Sequence, residues 1–299
     1  MKKLLAVLTL LLLTSAARGG IPVPPGARIL VLGDSITYGG TYVSDLECWL
    51  LQQGWTGTVI NVGLPSETGC DLTESENEPH KTRHGFPRPA LSERLDRVLA
   101  AAKPDLILAC YGMNDASTPN DDSRFARFQA GIERIRTAAA AAGVKQVIHL
   151  TPPAQDDGPG KPVGPHDLAL ERFTRWLLEQ RSKGWTVIDL HGPMRASLEA
   201  ERAKNPAFRY CGDGIHPNDA GHLLMARQVI AAWGGPADYT PAPALFKAVH
   251  ARMIILRDAW LRETRHTRPG LAAGLPLPQA EAKAAALQPA IAAALATKP

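Results

Sequence analysis

The sequence has few aromatic residues, little net charge and no long apolar run after its first residues. Of its 299 residues, 6% are aromatic, 21% are charged and 45% are hydrophobic, which excludes a disordered or fibrous chain and suffices for a sizeable core. The formal net charge of +4 is too small to indicate nucleic acid or an anionic membrane as a partner. We therefore expect a globular protein that does not bind nucleic acid.

The first residues have the pattern of a signal peptide. Lys2 and Lys3 precede an unbroken apolar run at residues 4–13, and the small residues Ser15, Ala16 and Ala17 follow it. Ten apolar residues are too few for an uncleaved membrane anchor, because a spanning helix needs about 20. We expect residues 1–17 to be removed, no membrane span in the mature chain, and a secreted or periplasmic protein.

Four cysteines, at positions 48, 70, 110 and 211, would enter an oxidising compartment if the chain is exported. Four cysteines allow three pairings, and the sequence does not choose among them. Cys110 lies in an apolar run and is expected to be a buried thiol. Cys48 and Cys70 form the favoured pair, and free or partly paired thiols are an equally acceptable outcome.

Strand and helix patterns alternate along the main part of the chain. Runs rich in Val, Ile and Leu predict buried strands at residues 27–32, 58–62, 105–111, 145–150 and 186–190. Helical patterns lie at residues 42–53, 90–102, 121–142, 167–181, 193–204 and 219–233. This alternation predicts an α/β domain over residues 21–235, in which helices sandwich a five-stranded parallel sheet.

The sequence predicts a linker and a helical extension at residues 236–299. Apolar residues at helical spacing predict one helix, and an Ala-rich stretch at residues 279–295 predicts a weaker one kinked by Pro289. The apolar positions are Leu245, Val249, Met253, Leu256 and Trp260. The extension either packs on the main domain, which we favour, or binds a partner. The oligomeric state stays open.

Residues whose side chains or N–H groups can take part in catalysis follow the predicted strands. Because the carboxyl ends of parallel strands converge on one crevice, we expect these residues to lie close together. Ser35 lies at a strand-to-helix turn, where a helix N-terminus offers free N–H groups. Gly63 and Asn114 follow the second and third strands, and Asp213 and His216 precede a later helix. These residue types predict a Ser35–His216–Asp213 triad, with Ser35 N–H, Gly63 N–H and the Asn114 carboxamide as an oxyanion hole.

These segments resemble the sequence blocks of the SGNH or GDSL-type esterases and lipases. Residues 33–37 (GDSIT) match the first block, Gly63 the second, residues 112–115 (GMND) the third and residues 213–216 (DGIH) the last. Ser66 stands where many members have glycine, which is a departure in the second block. The resemblance implies a flavodoxin-like three-layer α/β/α fold and metal-independent ester hydrolysis, with no cofactor.

The substrate is less well specified by the sequence. Long loops at residues 64–88 and 151–166 are expected to wall the pocket, with Tyr38, Phe86 and Tyr210 as candidate substrate-binding aromatics. Neither loop has the apolar patch of a lipid-binding lid. We therefore favour short acyl esters, above all acetyl esters on carbohydrate. Lysophospholipid hydrolysis, carbohydrate O-acyl transfer and non-catalytic carbohydrate binding are the alternatives.

A metal site is disfavoured. His80 and His84 have helical spacing, but they lie in a loop dense in charges and lack a third ligand at a recognisable spacing. We expect these histidines to belong to a solvated loop.

Overall fold

A computed structural model of the protein describes residues 20–116 and 121–297, so the expected signal peptide lies outside the described residues. Five strands form one parallel sheet in the order β2-β1-β3-β4-β5. They are β1 (Arg28–Gly33), β2 (Thr58–Asn61), β3 (Leu106–Cys110), β4 (Gln146–Leu150) and β5 (Thr186–Ile188). The predicted α/β fold with a five-stranded parallel sheet is confirmed.

The two central strands end at the same level. Gly33 of β1 is aligned with Cys110 of β3, and both strands are almost entirely buried. Their Val, Ile and Leu side chains pack on both faces of the sheet, as expected for a parallel sheet covered by helices. The chain reverses strand order at this point, so the segments after β1 and β3 leave the sheet side by side.

Helices cover both faces of the sheet. Those of the main domain are α1 (Ser35–Gly39), α2 (Thr41–Gln52), α3 (Glu74–His84), α4 (Leu95–Ala102), α5 (Asp122–Ala141), α6 (Pro165–Glu179), α7 (His191–Lys204) and α8 (Asp219–Ala232). Helices α2 and α8 pack together, and α4 packs on α5, whose Phe128 stacks on Phe173 of α6 at 4.0 Å. The connection from β1 to β2 and the next connection, from β2 past β1 to β3, run in opposite directions across the sheet. Because such crossovers are right-handed, α2 and α4 lie on opposite faces.

Helix α3 corrects the expectation of a solvated loop around His80 and His84. Thr73 caps its first turn, because the Thr73 side chain accepts from Glu76 N while Glu76 accepts from Thr73 N. Acidic residues fill the first turn and basic residues the last, which suits the helix dipole, and Gly85 ends the helix with a φ of 81°. The helix has almost no apolar face, so hydrophobic periodicity alone did not indicate it.

The C-terminal extension consists of α9 (Pro243–Thr264), α10 (Leu277–Ala285) and α11 (Gln288–Ala296). Helix α9 packs on α2, on α4 and on the edge strand β2, while α10 and α11 pack on α9. Covering an edge strand blocks its free hydrogen-bonding groups from pairing with other chains. Trp260 and Leu261 of α9 belong to the same core as the sheet. The predicted helical appendage is therefore present and packs on the main domain.

The cysteines are buried and free, so the favoured Cys48–Cys70 pair is not formed. Cys48 lies in α2 and packs in a small cluster with Leu245 and Val249 of the extension. Cys70 instead belongs to the main core, where its backbone N–H donates to Asp115. The two thiols occupy different hydrophobic clusters. None of the helices in the described residues is long and apolar enough to cross a membrane.

Candidate active site

Ser35, His216 and Asp213 form a chain of contacts at the carboxyl edge of the sheet. The Oγ of Ser35 lies 2.8 Å from Nε2 of His216, and Nδ1 of His216 lies 2.7 Å from Oδ2 of Asp213. Ser35 and His216 are 181 positions apart in the sequence. This geometry lets His216 take a proton from the serine hydroxyl while Asp213 fixes the imidazole tautomer.

The Asp213 carboxylate is held by three donors. Its Oδ1 accepts from the backbone N–H groups of Ile215 at 2.9 Å and His216 at 2.8 Å, and its Oδ2 faces the His216 ring. Partial burial raises the pKa of Asp213, but these hydrogen bonds outweigh burial and lower the pKa to about 2. Asp213 is therefore ionised over the whole neutral range and is oriented by the backbone of its own turn.

Asp34 shapes the turn that presents Ser35. Its side chain accepts from Ile36 N at 2.9 Å and so caps the short helix α1, whose first residue is Ser35. Asp34 is only 3% exposed. Burial raises the pKa of this carboxyl to about 7, against the opposing effect of the Ile36 hydrogen bond. The cap thus positions the serine and puts a weakly acidic group behind it.

Gly63 does not present its N–H to the site, which corrects its expected role in the oxyanion hole. The Gly63 N–H donates to Oδ1 of Asn61 at 2.8 Å, and the Asn61 amide donates to Thr37 O at 2.7 Å. A Cβ on Gly63 would lie 2.4 Å from Tyr38 N. Gly63 is therefore the contact point between the β2 loop and α1, and glycine is required there by close packing.

Ser66 lies in the wall of the cavity in front of Ser35, three residues after Gly63. Its φ of 69° is in the left-handed region, which explains why a glycine is common at this place in the resembling family. Among residues 20–116 and 121–297, neither the Ser35 N–H nor the Ser66 N–H has a hydrogen-bond acceptor. These two amides are available for an oxyanion. In the sequence, Ser66 stands out only as a departure from the family pattern.

Asn114 lines the same cavity, as expected for a side chain that follows β3. Its Nδ2 donates to Glu67 O at 2.9 Å, and its Oδ1 accepts from Arg88 at 2.6 Å. The hydrogen bond from Arg88 to Oδ1 fixes the orientation of the carboxamide, so the NH₂ group points away from Arg88. Asn114 and Ser66 lie near each other because Glu67, directly after Ser66, accepts from Asn114.

The cavity has a volume of about 430 Å³ and is lined mainly by polar and cationic side chains. Arg83 and His84 come from the end of α3, Arg88 from the segment after it, and Arg268 from the C-terminal extension. The sequence motifs did not indicate these residues as part of the site. The predicted loop at residues 64–88 was expected to wall the pocket, which partly indicated Arg83, His84 and Arg88. No feature of the sequence indicated that Arg268, from a distant segment, also lines the cavity.

The three candidate aromatics do not line this cavity. Tyr38 faces the extension, where the Arg257 guanidinium covers its ring at 3.7 Å. Phe86 lies behind the wall against His80, with ring centroids 4.9 Å apart. Tyr210 is buried and bonds through its hydroxyl to Ser197 at 2.7 Å. Each ring finds a packing partner within the protein, which the sequence position relative to the strands does not predict.

Other carboxylates near the strand ends have structural partners. Asp115 accepts from Cys70 N at 2.8 Å, and Asp189 accepts from the Thr151 hydroxyl at 3.0 Å. Glu67 is fully buried and paired with Arg94 at 2.6 Å. None of them contacts His216 among the described residues, so Asp213 is the carboxylate that orients this imidazole.

His80 of α3 is engaged within the protein. Nδ1 of His80 lies 2.9 Å from Phe86 O, and Nε2 lies 3.2 Å from the Ser66 hydroxyl. Burial lowers the pKa of His80 to about 4, although the Phe86 hydrogen bond opposes this shift. His80 therefore supports the cavity wall at Ser66 as a neutral side chain.

Comparison with known proteins gives the same architecture. The model of the GDSL-like Lipase/Acylhydrolase family matches residues 31–224. Among solved structures, an acetylxylan esterase from Geobacillus stearothermophilus aligns with a TM-score of 0.54 and 20% identity, over 72% of this chain and 98% of the other. BT4096, a gut microbial diltiazem-metabolizing enzyme, aligns with a TM-score of 0.57 and 23% identity over 71% of this chain.

The chain spans only about half of that second enzyme, 48% of its length. At these identities the two likenesses establish a shared fold. No curated protein matches the sequence. The family match ends before α9, so the whole C-terminal extension lies outside it.

Proposed function

Because the chain belongs to the GDSL-like lipase/acylhydrolase family and is a carboxylic ester hydrolase, we propose that Ser35, His216 and Asp213 are its catalytic triad. The observation that carries this proposal is the continuous contact from Ser35 Oγ through the His216 ring to Asp213. In the acylation step, His216 Nε2 takes the hydroxyl proton as Ser35 Oγ attacks the ester carbonyl carbon. Asp213 holds Nδ1–H and stabilises the imidazolium that forms.

The oxyanion of the tetrahedral intermediate is bound by the N–H groups of Ser35 and Ser66 and by the Asn114 carboxamide. All three residues line the cavity, and donors of this kind each contribute about 2.7 to 4 kcal/mol to transition-state stabilisation. Collapse of the intermediate breaks the bond to the alcohol, which leaves with the proton from His216. Water then attacks the acyl-serine with His216 again as base, and releases the carboxylic acid and free Ser35.

The substrate is a short acyl ester, above all an acetyl ester on carbohydrate. Support comes from the lining of the cavity, where Pro65, Met113 and Ile215 are the apolar contributors and the rest is polar or charged. A long acyl chain needs a continuous apolar channel to leave water, and three separate residues do not supply one. The structural likeness to an acetylxylan esterase agrees with this choice.

Product analysis tests this function. The protein is incubated with an acetylated polysaccharide, with and without a free sugar as acceptor, and acetate and acetylated acceptor are both quantified. Release of acetate that is independent of the acceptor is the expected result. Acetylated acceptor as the main product would indicate acyl transfer, and saturable binding without any product would indicate a non-catalytic protein. Long-chain lysophospholipid is included as a competing substrate, and preference for it would overturn the short-acyl assignment.

We also propose export, on the basis of the basic and apolar pattern of residues 1–17. Amino-terminal sequencing of the protein recovered from outside the cytoplasm tests this proposal. A chain that begins near Arg18 is expected, and recovery of the intact amino terminus from the cytoplasm alone would contradict it.

A further inference from the structure

Cationic side chains dominate the wall of the cavity that contains Ser35. Arg83, Arg88 and Arg268 all contribute to it. Among the described residues that line the cavity, the single carboxylate is Asp213, which is already bonded to His216. The pocket therefore has an excess of positive charge. Arg88 orients Asn114, whereas the proposed acyl transfer gives no role to the guanidinium groups of Arg83 and Arg268.

None of these three arginines forms an ion pair within the part of the chain that the structure describes. Arg94, which lies next to the site, is neutralised by the buried Glu67 at 2.6 Å. By contrast, no acidic residue within 20–116 or 121–297 forms an ion pair with Arg83, Arg88 or Arg268. Arg88 donates to the neutral Oδ1 of Asn114. Arg83 and Arg268, which form no ion pair with a described carboxylate, are suitable donors for an anion.

Arg268 provides a second observation. Its Nε is enclosed and has no hydrogen-bond acceptor in the described part of the chain. The Arg268 residue lines the cavity, so its guanidinium brings a positive charge to a ligand bound there. Carboxylate and phosphate oxygens accept from the fork formed by arginine Nε and Nη, often with two parallel hydrogen bonds.

The segment that carries Arg268 is fixed to the main domain. Thr267 donates to Glu93 at 2.7 Å, and the Thr264 carbonyl accepts from Arg97 at 3.2 Å. The Arg268 guanidinium lies 4.9 Å from the centroid of the Phe86 ring, which covers one of its faces. Arg268 is therefore held against the cavity, and a partner anion would not have to order a loose tail.

We propose that the alcohol part of the substrate carries a negatively charged group, a carboxylate or a phosphate, which Arg83 and Arg268 bind. This inference rests on the proposed ester hydrolysis at Ser35. An acetyl group has no position for a charge, so the anion belongs to the sugar. The substrate class is then an acetyl ester of an acidic saccharide. The C-terminal extension, through Arg268, contributes a specificity-determining residue.

A matched pair of substrates tests the charge directly. Methyl glucuronoside acetylated at one hydroxyl is compared with the corresponding glucuronamide, which has the same shape and no charge, and with the equivalently acetylated methyl glucoside 6-phosphate. We expect kcat/KM to be about tenfold higher for the uronate than for the uronamide, because only the uronate offers a charged acceptor to the two arginines. The 6-phosphate arm shows which anion is preferred. Equal kcat/KM values for charged and neutral esters would overturn the proposal.

Variants assign the effect to the two arginines. In the double variant Arg83→Gln and Arg268→Gln, the uronate-to-uronamide ratio of kcat/KM should fall by about tenfold. The control is Arg175→Gln, which removes an exposed arginine of α6 outside the cavity and should leave the ratio unchanged. Raising the salt concentration should also lower the ratio, because screening weakens the charged contact. A ratio that is the same in the double variant and the control would contradict the assignment.

Binding to the Ser35→Ala variant separates this inference from the proposed function. Calorimetric titration with the two acetylated sugars measures recognition without turnover. Tighter binding of the uronate, with no hydrolysis of any ester by the wild type, would support the anion site and overturn the esterase assignment. Hydrolysis of both esters at equal rates, with equal binding, would overturn the anion site and leave the esterase assignment standing.

Discussion

The Arg257 guanidinium donates a hydrogen bond of 2.7 Å to the Tyr38 carbonyl oxygen and covers the Tyr38 ring at 3.7 Å. Tyr38 belongs to α1, the short helix that begins with Ser35, while Arg257 belongs to α9 of the C-terminal extension. Met253 of the same helix accepts from the Asn61 amide at 3.4 Å. A segment outside the family match thus supports the turn that presents the serine.

Arg257→Gln should therefore lower both stability and turnover. Arg257 is 7% exposed, and its loss leaves the Tyr38 carbonyl without its charged donor, at an expected cost of about 1 to 3 kcal/mol. Displacement of α1 should reduce kcat more than it changes KM. The control is Arg262→Gln on the same helix, whose arginine donates to Gly274 O away from α1. Thermal unfolding and steady-state kinetics check this, and equal values for the two variants would refute a positioning role for Arg257.

The sheet and most of its helices were predictable because each strand is a continuous apolar run and each buried helix repeats its apolar residues. Helix α3 was not predictable in this way, because capping residues and charged side chains stabilise it and it has almost no buried face. The order of polar residues after the strands predicted the contact between Ser35 and His216, since parallel strands end at one edge.

The predicted donor Gly63 does not offer its N–H to the cavity, because that group donates to Asn61 Oδ1. Which amide faces the cavity depends on the backbone conformation at Ser66 and on the Asn61 side chain, and neither follows from composition or spacing. The cationic wall depends on Arg268, which reaches the cavity from a segment whose fold is set by long-range packing. Such contacts between distant segments leave no periodic signal in a single sequence.

Gly63→Ala should destabilise the protein although it keeps the backbone N–H. The added Cβ would lie 2.4 Å from Tyr38 N and 2.6 Å from Thr37 C, so α1 must shift, and overpacking of this kind costs about 1 to 3 kcal/mol. Gly39→Ala in the same helix is the control, because nothing lies within 4 Å of its Cβ position. The melting temperatures of the two variants test this prediction. A Gly63→Ala protein as stable as the Gly39→Ala protein would show that the close approach is not required.

Asn114→Ala should lower kcat by about 10² to 10³ with a smaller change in KM, because the carboxamide donates mainly in the transition state. Asn114→Asp separates donation from support of the wall. The aspartate still accepts from Arg88 but has no N–H to offer, so it should be as impaired as the alanine variant. An active Asn114→Asp enzyme would exclude Asn114 from the oxyanion hole.

Asp34 should make the protein less stable as the pH rises from about 4 to 7. Its pKa is raised to about 7 in the folded protein by burial, so the folded state retains this proton where the unfolded state has lost it. The stability contribution is therefore complete below pH 4 and is lost as the pH rises through 7. Asp34→Asn keeps an N-cap acceptor for Ile36 N without the charge.

Urea unfolding at pH 4.5, 6 and 7.5 measures this effect. The free energy of unfolding of the wild type should fall by about 2 to 4 kcal/mol relative to Asp34→Asn between the first and the last pH. Parallel pH profiles for the two proteins would contradict a buried, weakly acidic Asp34.

The identity of the nucleophile is tested most directly by covalent labelling with a fluorophosphonate, followed by sequencing of the labelled peptide. The probe should modify the protein at Ser35 alone, with the fluoride displaced by the serine oxygen, because His216 Nε2 lies 2.8 Å from that oxygen and accepts its proton. In the folded Ser35→Ala variant, both the label and the hydrolysis of p-nitrophenyl acetate should be absent. Labelling of another residue, or labelling that persists in Ser35→Ala, would contradict the assignment of Ser35 as the catalytic serine.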